Sequence, residues 1–197
     1  MSILFIQGSP VEPSRSAALS GFVAAEIQRR GIDNSRLKLT DLPAQALLNA
    51  KFGDPQIRIA SDRVAGATAI VIATPVYKAA YSGLLKSFLD LLPQNGLEGK
   101  VVLPLATAGS PHHALALDYA LRPVLQSMSP SLVLPGVHAT DATVGKSDKG
   151  DYLLSPEIID RLAQATDRLV YEYRALLARR PEPAADPVPF DRVRCSV

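Results

Sequence analysis

The 197-residue chain reads as a doubly wound α/β protein: one five-stranded parallel sheet in the order 2-1-3-4-5, with helices on both faces. Three observations carry this reading. Short apolar runs alternate with segments of helical period along the chain. The central run, Thr68-Ala69-Ile70-Val71-Ile72-Ala73-Thr74, is apolar at successive positions, as a strand covered on both faces must be. The loops that follow the first, third and fourth runs concentrate glycine, proline and serine, at the end of the sheet where such proteins place ligands.

Taken in order, residues 2–7 are short and apolar and form the first strand. Residues 17–30 form a helix, with Leu19, Phe22, Val23 and Ile27 on one face and Gly31 as its stop. Residues 36–40 alternate polar and apolar, which suits a second strand nearer an edge. Residues 41–54 hold Pro43 and Gly53 and form a loop with one helical turn near 44–50. Residues 55–65 are helical with Pro55 in the first turn. The third strand, 68–74, leads into a loop over 75–81 and a leucine-rich helix over 82–92. A fourth strand at 100–107, a loop at 108–112, a helix at 113–128 and a fifth strand at 131–138 complete the sheet. Residues 140–152 form a polar loop. Residues 156–179 form a long helix with Ile158, Leu162, Ala165, Leu169, Tyr173 and Leu176 in register. Residues 180–197 contain four prolines and form a tail without a core of its own, so the chain divides into one domain, 1–179, and a Pro-rich tail.

The totals exclude several classes. Hydrophobic residues make up 47% of the chain, which implies a folded globule. A net charge of +2 gives no general pull toward nucleic acid or an anionic membrane. It also lacks the acidic balance expected of a small electron carrier. The single cysteine, Cys195, builds neither a disulfide framework nor a zinc cluster, which fits a reducing cytoplasm. No signal-peptide pattern opens the chain, and no apolar run approaches the ~20 residues of a bilayer span.

The first loop reads Gly8-Ser9-Pro10-Val11-Glu12-Pro13-Ser14-Arg15-Ser16. A buried strand, a turn and a helix start place free N–H groups at one point. Ser9, Ser14 and Ser16 add hydroxyls, and Arg15 adds a fixed positive charge, a donor set suited to a phosphomonoester. A plain helix cap with a solvated arginine is the simpler alternative. In the second loop Pro75, Val76 and Tyr77 lead to Ser82 and Gly83, where backbone N–H groups can meet the polar edge of a flat ring. Tyr77 and Tyr81 are each as well explained by half-buried packing as by ring contact. Lys78 meets a ligand, a partner subunit or only solvent. In the third loop the small residues Thr107, Gly109 and Ser110 let a ring lie against backbone. His112 either touches a bound ligand or faces water.

Other chemistries lack their signatures. No G-x-G-x-x-G follows the first strand, and Gly145-Lys146-Ser147 has no glycine at P-loop spacing before it. His112, His113 and His138 have no carboxylate or cysteine partner at metal spacing, and no G-x-S-x-G elbow occurs, so no metal is expected. A mononucleotide held by its phosphate remains, and FMN is the one this fold class commonly binds.

Three stretches carry a resemblance. GSPVEPSRS (8–16), TPVYKAAYSGLLKSFLDLLP (74–93) and GKVVLPLATAGSPHHALALDYALRPVL (99–125) resemble the NAD(P)H-dependent FMN reductases. The resemblance is strongest to the FMN reductases of two-component alkanesulfonate monooxygenase systems, and it runs through about residues 1–140. It implies a flavodoxin-like fold, a homotetramer, and reduction of FMN by NADPH with release of reduced flavin to a flavin-dependent alkanesulfonate monooxygenase. It assigns Ser9, Ser14, Arg15 and Ser16 to the phosphate, and Pro75, Val76, Tyr77, Ser82, Thr107, Gly109 and Ser110 to the ring. Many relatives carry P-E-Y-N where this chain has Pro75-Val76-Tyr77-Lys78, a departure that points to the sulfonate branch. Tyr119 is implied to lie in a π-type bulge at the tetramer interface; Pro123 in the same helix removes a backbone donor. No side chain is expected to act as acid or base, because hydride passes between stacked rings. The alternatives are a quinone or azo reductase that retains its FMN, and a non-catalytic flavodoxin-type electron carrier.

Overall fold

Along β1 (Ser2–Gln7) the side chains alternate between two cores. Ile3 and Phe5 enter one, Leu4 and Ile6 the other, and all four are essentially inaccessible. Along β3 (Ala67–Tyr77) Ala69, Val71 and Ala73 face the first core, while Ile70 and Ile72 face the second. A strand apolar on both faces needs helices on both sides, and the chain supplies them. The computed structural model describes residues 2–148 and 150–179. The tail read over 180–197, Cys195 included, lies outside the described residues.

The remaining elements are, in order, α1 (Arg15–Arg29), β2 (Asn34–Lys38), α2 (Ala44–Leu48) and α3 (Pro55–Gly66). After β3 come β4 (Ala80–Tyr81), α4 (Gly83–Leu89) and β5 (Val101–Ala108). A π-helix (Leu117–Leu121) runs directly into α5 (Arg122–Ser127). The chain closes with β6 (Leu132–Val133), β7 (Val137–Thr140), β8 (Val144–Lys146), β9 (Tyr152–Leu154) and α6 (Pro156–Ala178). The parallel strands follow the order β2-β1-β3-β5, with β6 and β7 sharing the outer position beside β5. This is the doubly wound, flavodoxin-like order that the sequence predicts. Helices α1 and α6 pack on one face, α2, α3 and α4 on the other.

Beyond a shift of the second strand from 36–40 to Asn34–Lys38, four segments differ from the sequence reading. The loop expected over 75–81 is a tight hairpin: Val76 and Tyr77 pair antiparallel with Tyr81 and Ala80. Lys78 (φ 50°) and Ala79 (φ 63°) make the turn with two left-handed residues, a geometry that ordinarily calls for asparagine and glycine. Nothing in the local sequence announces it. The helix expected over 113–128 is broken into a 3₁₀ turn (Pro111–His113), the π-helix and α5. The Arg122 N–H donates to Leu117 O, five residues back, and Pro123 then has no N–H to offer. The fifth strand is interrupted at Leu134-Pro135-Gly136, where Arg122 reaches across to cap the carbonyls of Val133 (2.8 Å) and Leu134 (3.1 Å). The polar loop expected over 140–152 instead holds β8 and the turn of a β8–β9 hairpin that runs on to Leu154, with Val144 opposite Leu154.

At the far end of the sheet Lys100 is buried, and among the described residues no carboxylate pairs with it. Its Nζ donates to Ala65 O (2.8 Å) and Ala67 O (2.9 Å), and desolvation holds its pKa below the ordinary lysine value.

Candidate functional site

Three loops meet at the carboxyl ends of β1, β3 and β5, and the seam between them is a cleft of about 330 Å³. Ser9, Val11, Ser14, Arg15 and Ser16 line one side, Pro75, Val76 and Tyr77 a second, and Thr107, Ala108 and Gly109 a third. That volume falls in the range of small-molecule sites, ~300–1,000 Å³.

The first loop is held from three directions. Gly8 N donates to Ala73 O at 2.8 Å, which continues the β1–β3 ladder past the strand. A Cβ on Gly8 would stand 3.0 Å from the Leu85 Cβ, so glycine at residue 8 lets the loop lie close against α4. Lys38 Nζ reaches Glu12 Oε2 at 2.7 Å and ties the outer arm of the loop to the end of β2. The loop passes through a cis Glu12–Pro13 peptide and ends at Ser14, whose Oγ accepts from Ala17 N (3.2 Å) and caps α1. Ser14 Oγ also lies 3.3 Å from Ser16 Oγ, and Ser9 Oγ donates to Val11 O at 2.9 Å. The serines therefore stiffen the turn while lining the cleft.

Arg15 does not point into open water. Its Nε donates to Val144 O (3.1 Å) and lies 3.3 Å from Asp141 Oδ1, and its guanidinium carbon sits 5.5 Å from the Tyr152 ring centroid. Its hydrogen bond uses Nε, and among the described residues its two Nη groups make none, so they remain hydrogen-bond donors at the α1 N-terminus. Asp141 and Tyr152, both on the cleft wall, escaped the sequence reading. They sit far from residue 15 along the chain, in a segment whose only signal was polarity.

Nine of the eleven residues assigned to ligand binding thus share one cleft: Ser9, Ser14, Arg15, Ser16, Pro75, Val76, Tyr77, Thr107 and Gly109. Two stand elsewhere. Ser82 is 1% exposed. Its Oγ accepts from Leu85 N (3.1 Å), capping α4, and donates to the Gly8 carbonyl. Its own N–H donates to Thr74 Oγ1 at 3.0 Å. Ser82 therefore locks the first loop to the second and offers no hydroxyl to the cleft. Ser110 Oγ accepts from His112 N (3.2 Å) and caps the short 3₁₀ turn behind the third loop. Lys78 is exposed at the hairpin tip and His112 is exposed at the start of the 3₁₀ turn; neither lines the cleft.

Tyr119 lies in the π-helix and is 79% exposed, with Leu115, 60% exposed, one turn before it. The π-helix packs against β4, so the cleft hairpin and the Tyr119 surface share one support.

The donor set fits a phosphate and the second and third walls fit a flat ring. Two Nη donors, serine hydroxyls and a fifteen-residue helix start converge on one side. A proline, a valine and a tyrosine face small residues across the cleft, and a Cβ at Gly109 would meet nothing within 4 Å, so that wall is flat and open.

Comparison with known proteins bears on the family and the fold. Residues 1–144 match the family described as NADPH-dependent FMN reductase. The chain is 37% identical over 193 residues to the FMN reductase (NADPH) of Pseudomonas putida KT2440, covering 98% of this chain and 96% of that protein. It is 38% identical over 180 residues to the FMN reductase (NADPH) of Escherichia coli K12, covering 91% and 92%. Its fold superposes on a solved NADH:FMN oxidoreductase, EmoB, with a TM-score of 0.78 and 37% identity, over 92% of this chain and 91% of that one.

Proposed function

Because this chain belongs to the NADPH-dependent FMN reductase family, we propose that the cleft described above is where it holds FMN. The enzyme is an NAD(P)H:FMN oxidoreductase, and FMN and NADPH are its cofactors. In the reading offered here the FMN phosphate lies at Arg15, Ser14, Ser16 and Ser9, and the ring lies between Pro75-Val76-Tyr77 and Thr107-Ala108-Gly109. The observation that carries it is the placement of Arg15, whose Nη groups make no hydrogen bond among the described residues, and of those two walls around one cleft. FMN, when bound, supplies the hydride acceptor. The chain's own residues have simpler work. The first loop would hold the phosphate, and the Val76–Tyr77 hairpin arm and Gly109 would orient the ring. No side chain in the cleft needs to move a proton at the step where the two rings meet.

We further propose that the reduced flavin leaves for a flavin-dependent alkanesulfonate monooxygenase. The sequence of the second loop, Pro75-Val76-Tyr77-Lys78, supports this branch of the family. The assembly proposed is a homotetramer, with Tyr119 and Leu115 in the subunit interface, since exposed apolar side chains side by side mark a contact surface. Light scattering on Tyr119→Ala tests it: a species smaller than wild type is expected, and an unchanged mass removes Tyr119 from the interface.

The function is tested by mixing dialysed protein with NADPH in air and following the nicotinamide absorbance with and without FMN. Oxidation that requires added FMN and saturates with it is the expected result. Rapid oxidation without added FMN would instead indicate a retained flavin and a quinone or azo reductase. No oxidation in either case would leave a carrier or binding module.

A further inference from the structure

An anion-binding cleft that contains its own carboxylate calls for an explanation. Asp141 lines the same wall as the α1 N-terminus, and its Oδ1 is 3.3 Å from the Arg15 guanidinium. Its position is built rather than incidental. The turn that carries it is closed by Thr143 N to Thr140 O (3.0 Å) and by Thr140 N to Thr143 Oγ1 (2.9 Å). Ser155 N holds the Thr143 carbonyl at 2.9 Å, which fastens the turn to the start of α6. Beside it, Val144 O and the Tyr152 ring hold Arg15 in place without adding charge. Asp141 is half exposed, so its charge faces the cleft as well as the arginine.

A carboxylate in that position is unfavourable for holding a phosphate dianion. It occupies part of Arg15's charge and repels a second anion drawn to the same guanidinium. We infer that Asp141 is an internal competitor for the FMN phosphate, a residue that sets how loosely the flavin is held. The inference rests on reading the cleft as the FMN phosphate site. Its consequence is physical: a reductase that gives up its flavin needs a phosphate site strong enough to select FMN and weak enough to release it. A residue that merely positions Arg15 would have the opposite sign, since removing its charge would weaken FMN binding.

The test is equilibrium binding of FMN and of riboflavin to the full chain, wild type and Asp141→Asn, at low and high salt. Asparagine keeps the shape and a hydrogen-bonding oxygen and removes the charge. Binding of FMN should tighten about three- to tenfold, while riboflavin, which lacks the phosphate, should change by less than about twofold. The gain should shrink as salt screens the cleft. Inorganic phosphate should displace FMN from wild type and variant alike, and at lower concentration from the variant. Asp141→Ser, which also removes the charge, should behave in the same way, with matched melting temperatures establishing that both variants are folded. Unchanged or weaker FMN binding overturns the inference, as does an equal gain for riboflavin. Arg15→Ala separates this failure from failure of the site assignment. If Arg15→Ala leaves the preference for FMN over riboflavin intact, the phosphate is not bound at Arg15. If it abolishes that preference while Asp141→Asn changes nothing, the site stands and the competition does not.

Discussion

Replacing Ser82 by alanine distinguishes a ligand contact from a brace, and the structure gives the size of the effect. The Ser82 hydroxyl makes two bonds in a fully buried place: it accepts from Leu85 N at the start of α4 and donates to the Gly8 carbonyl in the first loop. Losing a serine N-cap costs about 1 kcal/mol. Leaving a buried carbonyl without its partner costs about 1–3 kcal/mol. Together the losses come to about 2–4 kcal/mol, or roughly 5–15 °C in melting temperature for a chain of this size. Urea unfolding followed by circular dichroism measures it. A midpoint shift worth less than about 0.5 kcal/mol, accompanied by a large loss of FMN affinity, would refute the brace and return Ser82 to the ligand site.

Two other perturbations follow from the structure. Gly136→Ala would place a Cβ 2.7 Å from Leu117 Cδ1 and 3.0 Å from Pro104 O; the leucine can swing but the β5 backbone cannot, so a loss of about 1–3 kcal/mol in urea unfolding is expected, and an unchanged midpoint would show that the gap between β6 and β7 yields freely. His138 is buried on β7 with Nε2 unpartnered among the described residues, and desolvation, with the nearby charges of Arg161 and His113, holds its pKa below the ordinary 6.5. The folded state therefore refuses a proton that the unfolded chain accepts, so stability falls as pH drops below about 6.5 and His138 contributes nothing to the pH dependence above it. Denaturation at pH 7.5 and 5.5 should show a smaller acid loss in His138→Gln than in wild type, and equal losses would remove His138 as the source.

The cleft and the fold were legible in the sequence to different depths. Periodicity set most of the helices and the inner parallel strands, because a strand covered on both faces must be apolar at successive positions, as residues 69–73 are. The position of the site followed from topology: the first, third and fourth parallel strands neighbour one another, so their carboxyl-end loops converge. Serines around an arginine at a helix start pointed to one wall of the cleft, since local chemistry at a helix end survives whatever the rest of the chain does. Tertiary structure decided the rest. Ser82 and Gly109 occupy loops of similar composition, yet Ser82 faces the Gly8 carbonyl and Gly109 faces the cleft. The hairpin turn at Lys78 and Ala79 adopts left-handed backbone that neither residue favours, and the pairing of Val76 and Tyr77 with Tyr81 and Ala80 closes it. Lys100 finds carbonyls from β3 and the end of α3, and Arg15 finds Asp141, because the sheet brings together residues that no window of sequence contains. What depends on neighbours within a turn or two the sequence determined by itself. What depends on which distant side chain fills the remaining space was settled only when the strands had paired and the helices had packed.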